Sequence, residues 1–481
     1  MTEGAFVKLK LPGAVCSCLV GLFGPVSVHA AQQPPPPAAG KLDWGAGTLD
    51  VQALSKQLKG DQAPVDLGAE MSERVLSLDQ AVSMAVRSHP SIADSVATLA
   101  ASTSAIDVAR GGYFPQVTAG LGGGNSTLTG SGNTTSVTVS QMLYDFGKVS
   151  GAVDQAKADV KKQQALVLKQ IDTIAEQTAE AVINVHRYQV LEAIAREQVA
   201  AVQKVLLMAQ LRANAGVSHR SDPIQAESRV QNARANLTQV RAQRAQAMER
   251  LRTLIGARFN GVIAPLPDDR AAQVQLAADP DTDGIPDVLA AKADMSSAVA
   301  QLDVAKAQRW PTLSLDVSQS KSLSGINPST YVPEGSYRTV MVNVNWSVFQ
   351  GGALNAKVKG AENLLASARS RVQVARLTGS DYARSYRELA IGARDRLGVL
   401  GERKRSITEA RDLYREEYKL GTRSILDLLN AEQEFYQAAS DEESAKDDFW
   451  LNLVAWLNAT GAGRDFFGLN KTQVQGMEVL P

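Results

Sequence analysis

Leu143-Tyr144-Asp145-Phe146-Gly147 and, 205 residues later, Val348-Phe349-Gln350-Gly351-Gly352 open two runs of equal length. The first run, Lys148 to Ala215, has no proline and a single glycine, Gly151. The second is Ala353 to Leu420, and both span 68 residues. Past them, Gly216, Asp222, Ala226 and Glu227 match Gly421, Asp427, Ala431 and Glu432, again at an offset of 205. Upstream, Ala109-Arg110-Gly111-Gly112-Tyr113-Phe114-Pro115-Gln116-Val117 matches Ala305-Lys306-Ala307-Gln308-Arg309-Trp310-Pro311-Thr312-Leu313 at an offset of 196. One offset held across about 70 residues is hard to obtain by chance, so the chain reads as an internal duplication. The nine extra residues of the second half fall in a loop between Pro311 and Phe349.

Within the first run, apolar residues recur at Ile171, Ile174, Ala175, Val182, Val185, Ile194, Val202 and Val205, mostly in steps of three or four. That is helical spacing, and 68 residues of helix reach roughly 100 Å. Ala, Gln, Lys and Glu dominate the other faces, which suits close helix packing with one solvated side. A plain coiled coil has the same pattern.

Between the short and long helices, each half offers two strands. Leu313, Leu315 and Val317 alternate with polar neighbours, as do Val340, Val342, Val344 and Trp346. The first half has Val117, Ala119 and Leu121, then Val137 and Val139. Segments of about ten residues with one apolar face are what a transmembrane β-barrel requires. A half-buried soluble sheet alternates in the same way; the Gly-rich and polar loops at Gly122 to Ser126 and Thr129 to Thr135 favour the barrel. Four strands leave two open edges, which lipid cannot satisfy. A small barrel needs about eight strands or more, so copies must share one: two copies supply about eight and three about twelve.

The flanks set the compartment. Lys8 and Lys10 precede an apolar stretch from Leu11 to Val28, and Val28-His29-Ala30 offers small residues for cleavage, so residues 1–30 read as a secretory signal. The rival, a lipoprotein signal ending at Cys18, fits poorly because Cys16 sits where a small aliphatic residue is expected. Both cysteines would leave with the signal, which excludes disulfide frameworks, Cys-based zinc sites and a cysteine nucleophile from the mature chain. The charge, 50 Lys+Arg against 50 Asp+Glu, argues against a nucleic-acid binder. No further apolar run reaches the length of a membrane-spanning helix. Residues 31–75, with Pro34 to Pro37, read as a Pro-rich arm. The first repeat then covers 76–270, opened by Ser77 as a helix N-cap. An acidic connector covers 271–287, the second repeat 288–458, and a C-terminal tail 459–481.

These features together resemble the TolC family of outer-membrane export channels, over about Leu76 to Leu457. The most specific piece is Tyr418-Lys419-Leu420-Gly421-Thr422-Arg423-Ser424-Ile425-Leu426-Asp427-Leu428-Leu429-Asn430-Ala431-Glu432, similar to the turn at the family's second periplasmic hairpin tip. Ala215-Gly216-Val217 through Ser221-Asp222 is similar to the first tip. The resemblance implies a membrane α+β fold: a trimeric β-barrel shared by three chains, four strands each, continued by a long periplasmic α-helical barrel. It implies a passive exit duct for an inner-membrane ABC or other transporter, reached through a periplasmic adaptor, with outer-membrane lipid around the barrel. No lipid-anchor cysteine and the Gly-Thr-Arg-Ser tip lean towards a type I secretion component; a drug-efflux duct is the alternative. A periplasmic coiled-coil scaffold without a pore is the rival of another class.

No catalytic constellation is visible and no cofactor is implied; His89, His186 and His219 are scattered without an acid partner at convincing spacing. Gly216 and Gly421 read as C-caps of very long helices. By resemblance the adaptor-docking tips comprise Gly216, Val217, Gly421 and Thr422. Asp222 and Asp427 suit helix N-termini electrostatically. By resemblance they belong to a periplasmic gate: Tyr418 bonds Asp222, Arg423 reaches Ser221, and Asp427 forms a ring of three carboxylates. A second acidic ring, common in the family, is here Asn430, which weakens cation attraction. Asp279, Asp281 and Asp283 with Gly284 imitate a calcium loop, but Ala290 stands at the twelfth position, where a bidentate Glu is needed.

Overall fold

The computed structural model describes residues 75–126, 130–276, 281–326, 333, 335–470, 473–474 and 477–478. The signal and all but the last residue of the Pro-rich arm lie outside the described residues. Strand β1 (Val75–Leu76) leads into α1 (Leu78–Ser88) through a capping box. Ser77 Oγ accepts from Gln80 N at 3.3 Å while the Gln80 side chain accepts from Ser77 N at 3.1 Å. His89 caps α2 (Pro90–Arg110), its Nδ1 accepting from Ser91 N at 3.2 Å.

Strands β2 (Gln116–Ser126) and β3 (Gly130–Tyr144) follow, then α3 (Lys148–Asn214) and α4 (Ser221–Ile255). After β4 (Val262–Ile263) and the short α5 (Asp268–Gln273), the same order returns: α6 (Pro286–Ala307), β5 (Thr312–Ser324), β6 (Ser336–Asn345), α7 (Ala353–Leu420) and α8 (Ile425–Ala459). The long helices measure 67 and 68 residues, and each of their followers 35. The backbone repeats at the strand exits as well. Phe146 and Gly351, 205 positions apart, have φ of 58° and 59°; Gly147 and Gly352 have 99° and 84°. The first half thus holds a bulky Phe where an L-residue is disfavoured by about 1–2 kcal/mol. Its ring packs against Tyr144 at 4.7 Å and Trp310 at 5.5 Å between centroids, and both Asp145 carboxylate oxygens accept backbone N–H groups of Gly147 and Val149.

α3 packs along α4, and α7 along α8, so each half forms a helical hairpin. The largest core gathers α1, the middle of α3, the ends of α4 and α8, and the parallel β1–β4 pair around buried Trp450, Phe259, Ile171 and Leu251. Two segments that join or end the repeats pack against this core. Residues 271–273, taken as the start of the connector, close α5: Ala271 is buried, and neighbouring Asp268 accepts from Trp450 Nε1 at 3.0 Å. The tail is likewise packed, with α9 (Gly463–Phe466) and buried Phe467 and Leu469.

Buried charges sit between these helices in two opposite states. Burial pushes the Glu192 carboxyl up, but hydrogen bonds from Arg244 (2.8 Å), Arg241 (3.0 Å) and Arg196 (2.5 Å) pull it down to a net value of about 2. Glu192 therefore supports the fold above its ordinary value of 4.5 and loses that support as pH falls towards about 2. Burial raises Asp172 and Glu176 to about 7; Arg464, 3.3 Å from Asp172, offsets only part of it. Here the folded chain holds protons that the unfolded chain has released, so stability falls as pH rises from about 4 to about 7. Asp172→Asn should flatten that decline in the melting temperature; a decline as steep as that of the unaltered protein would refute the assignment.

Candidate channel wall and entrance

The four long strands form one antiparallel sheet in the order β2-β3-β5-β6. β3 of the first half pairs with β5 of the second, leaving β2 and β6 as edges. Register fixes the faces, because side chains alternate along each strand. Val139 lies opposite Val117 and Val317, and Val317 opposite Val340. That face therefore collects Val117, Leu121, Val137, Leu315, Val342 and Val344 among others. They are not covered: Val117, Val340, Val342 and Val344 are 61–65% exposed. The other face is mostly Ser, Thr, Gly and Asn, with Met142, Tyr337 and Met341 among them and one charged residue among the described positions, Asp316. Its carboxylate accepts from Ser140 Oγ at 2.5 Å and from Asn343 Nδ2, tying β3, β5 and β6 together. Exposed Phe114, Tyr144, Trp310, Trp346 and Phe349 cluster where the sheet meets the long helices. An uncovered apolar band with aromatics at its border suits lipid rather than water.

At the far end, both hairpins turn on the expected glycines. Val217 N donates to Arg212 O and Gly216 N to Ala213 O, both at 3.0 Å; Thr422 N donates to Glu417 O at 3.0 Å and Gly421 N to Tyr418 O at 3.1 Å. These are paired Schellman closures, and they need the positive φ of Gly216 (73°) and Gly421 (84°). Ser424 Oγ then accepts from Asp427 N at 3.2 Å to cap α8. An apolar cluster joins the two hairpins here: Val202, Val205 and Ala209 from α3, Ala226 and Val230 from α4, Tyr418 from α7, and Ile425, Leu428 and Leu429 from α8.

The residues that the resemblance assigns to a gate gather at this end, and within the chain they have the following neighbours. Tyr418 Oη is buried and has no hydrogen-bond partner, so the Tyr418–Asp222 bond is not formed within the chain. Burial raises the phenol's pKa, Arg212 lowers it, and nearby Asp222 raises it further. Within the chain Arg423 has other neighbours. Its guanidinium lies over the Tyr414 ring at 4.1 Å, with Nε 3.2 Å from Glu417 and 3.9 Å from Asp427. Ser221 Oγ lies 3.4 Å from Asp222 Oδ1. Asn430 accepts from Arg229 of α4. The contacts missed in sequence come from residues distant in the chain: Arg212, Arg229, and His186, whose Nδ1 is 3.1 Å from Asp447. An acid partner 261 positions away has no local signature.

The weak calcium candidate comprises Asp279, Asp281 and Asp283. Asp279 lies outside the described residues. Asp283 is already neutralised by Lys292 (3.2 Å) and Arg376 (3.0 Å), and Asp281 accepts from Asp283 N. Ala290, at the twelfth position, is buried in α6. Among the described residues no group of three or more His, Cys, Asp or Glu could hold a metal ion, and no helix is long and apolar enough to cross a membrane.

The sequence signature of the outer membrane efflux proteins matches residues 81–257 and, again, 284–462. The chain belongs to the outer membrane efflux protein family. It is 25% identical over 394 residues to the outer membrane efflux protein BepC of Brucella suis, covering 78% of this chain and 83% of that one. It is 27% identical over 332 residues to the protein CyaE of Bordetella pertussis, covering 65% and 69%. In fold it is similar to the outer membrane protein VceC of Vibrio cholerae, with a TM-score of 0.67 at 16% identity, covering 80% of this chain and 96% of that one. It is likewise similar to the outer-membrane channel OprN, with a TM-score of 0.68 at 19% identity, covering 88% and 98%. The protein is thus an outer-membrane channel of this family, with the helices extending into the periplasm.

Valine at either tip glycine should cost about 1–2 kcal/mol, because it cannot relax at positive φ. Hydrogen exchange of the tip amides should accelerate in Gly216→Val and Gly421→Val, while the sheet and large core keep their protection. Unchanged exchange at the tips would show that the turns do not need glycine.

Proposed function

We propose that three copies of this chain close their sheets into one 12-stranded barrel, continued by a helical tunnel. The assembly serves as the passive exit duct of a tripartite export system. The observation that carries this reading is the sheet itself: four strands with two unpaired edges and an uncovered apolar face. Lipid tolerates the apolar face but not the edges, which pairing between copies satisfies. A non-pore scaffold would leave that face in water. We infer, too, that the halves arose by duplication. The twice-matched family signature, the two 35-residue helices and the matched backbone at Phe146 and Gly351 support this.

In this duct no bond is made or broken, and the chain works without a cofactor. Gly216, Val217, Gly421 and Thr422 form the tips on which a periplasmic adaptor docks, linking the duct to an inner-membrane transporter. Ser221, Asp222, Tyr418, Arg423, Asp427 and Asn430 surround the entrance. Asp222 and the buried, unbonded Tyr418 hydroxyl stand close enough to interact electrostatically, so a small shift of the hairpins completes their bond. Similarity to an efflux protein supports drug efflux; the tip sequence supports protein secretion.

Purified protein in a planar bilayer should form discrete cation-preferring channels of low conductance. Asp427→Asn should reduce the cation preference without raising conductance. Two such charges about 7 Å apart in water repel by only about 0.6 kcal/mol, too little to hold or break a gate. Absence of channels from the unaltered protein would contradict the duct.

A further inference from the structure

The register of the four long strands sorts their charges by sign. Asp316 is on the polar face, whereas Lys321 and Arg338 are on the apolar face. Arg338 lies opposite Gln319, and Lys321 opposite Ser336. The two cations are therefore diagonal neighbours across β5 and β6, with about 7–8 Å between their backbones. Both are exposed, and Arg338 Nε donates to Gln319 Oε1 at 3.3 Å. Among the described residues no carboxylate pairs with either.

Their depth is informative. Trp346 marks the border of the apolar band at the long helices. Arg338 stands eight residues along β6 from it, and Ser336, opposite Lys321, ten. At about 3.4 Å per residue and a strand tilt of about 40°, that is about 20–26 Å of depth, the height of an outer-membrane apolar band. The helices extend into the periplasm, so this level is that of the outer-leaflet headgroups. An outward cation is tolerated there but heavily disfavoured at mid-band. Leu121, in the same cross-strand row as Lys321, and Leu323 beyond it are 84% and 52% exposed. Cations and uncovered apolar side chains thus meet at one border, as an amphiphile requires.

We propose that Lys321 and Arg338 form an outward-facing site for a phosphate monoester on an outer-leaflet glycolipid, a headgroup of the lipid A type. The site rests on the barrel reading above, which turns the apolar face to lipid. Two cations match a monoester, which carries about −1.5 to −2 at neutral pH. The guanidinium fork can hold two of its oxygens while the ammonium adds a point charge. Protection of a free strand edge would account for a cation on β6, but not for Lys321, because β5 has a strand on each side. The duplication limits the number of sites. The equivalent positions of the first half are Asn125 and Asn133, so each chain carries one site and a trimer three.

Native mass spectrometry of the full-length protein tests this, because it counts lipids bound to intact oligomers only. The probes are bisphosphorylated lipid A, the same lipid with its phosphates removed, and phosphatidylglycerol, a diester. Bisphosphorylated lipid A should bind most tightly. Lys321→Gln and Arg338→Gln should each weaken it roughly fivefold and the double variant roughly thirtyfold, with the dephosphorylated lipid unaffected. Exposed Arg234→Gln, on α4, should change nothing. Unchanged affinity in the double variant, an equal loss for the dephosphorylated lipid, an equal loss in Arg234→Gln, or phosphatidylglycerol bound as tightly by the unaltered protein would overturn the site while leaving the barrel intact. An unaltered protein that forms no trimer would overturn the barrel and the site with it.

Discussion

An unpaired strand edge in hydrocarbon has nowhere to place its N–H and C=O groups, and this constraint shapes the rest of the protein. β2 and β6 carry such edges, and the valines beside them leave no choice of solvent on one face. One chain cannot satisfy both demands with four strands. On the proposed reading, further copies complete the sheet, and the long helices leaving its ends follow the ring the sheets make. The polar face, tied across three strands by Asp316, Ser140 and Asn343, is then the natural lining of an aqueous passage.

The helical part solves a different problem, that of reaching far from the membrane without a thick core. Small residues at buried positions such as Ala179, Ala361, Ala368, Ala383 and Ala390 allow close helix packing. Most of the large apolar side chains are concentrated where α1, α3, α4 and α8 meet, and a second, smaller cluster holds the tips. Between them, buried charge is managed locally. Three arginines surround Glu192 and hold it ionised, whereas burial raises Asp172 and Glu176 to about 7.

Much of the architecture was legible because it is written in local spacing. The second long helix runs from Ala353 to Leu420 as read, the capping box at Ser77 forms, and both tip glycines adopt positive φ. Strand alternation fell on the right residues, and the longer loop of the second half lies between β5 and β6. What could not be read was pairing across the chain. Nothing near Tyr418 indicates that its hydroxyl is left without a bond, and nothing near Arg229 points to Asn430, 201 positions away. The spacing of the Asp-rich loop imitates a calcium site, while the cations paired with Asp283, Lys292 and Arg376, lie beyond its twelve positions. The short helices α5 and α9 carry too few turns to show a period in the sequence.

The central claim is that the free edges of the sheet pair between copies, and cysteine crosslinking tests it most directly. Cysteines would be placed on β2 at Ala119 and, one at a time, along β6 from Tyr337 to Val344, and oxidised in isolated outer membranes. β2 and β6 are the opposite edges of the chain's own sheet, separated by β3 and β5. The account predicts that at least one pair gives a covalent ladder ending at a trimer. Crosslinks confined to single chains, or a ladder ending at a dimer or extending past three, would contradict it.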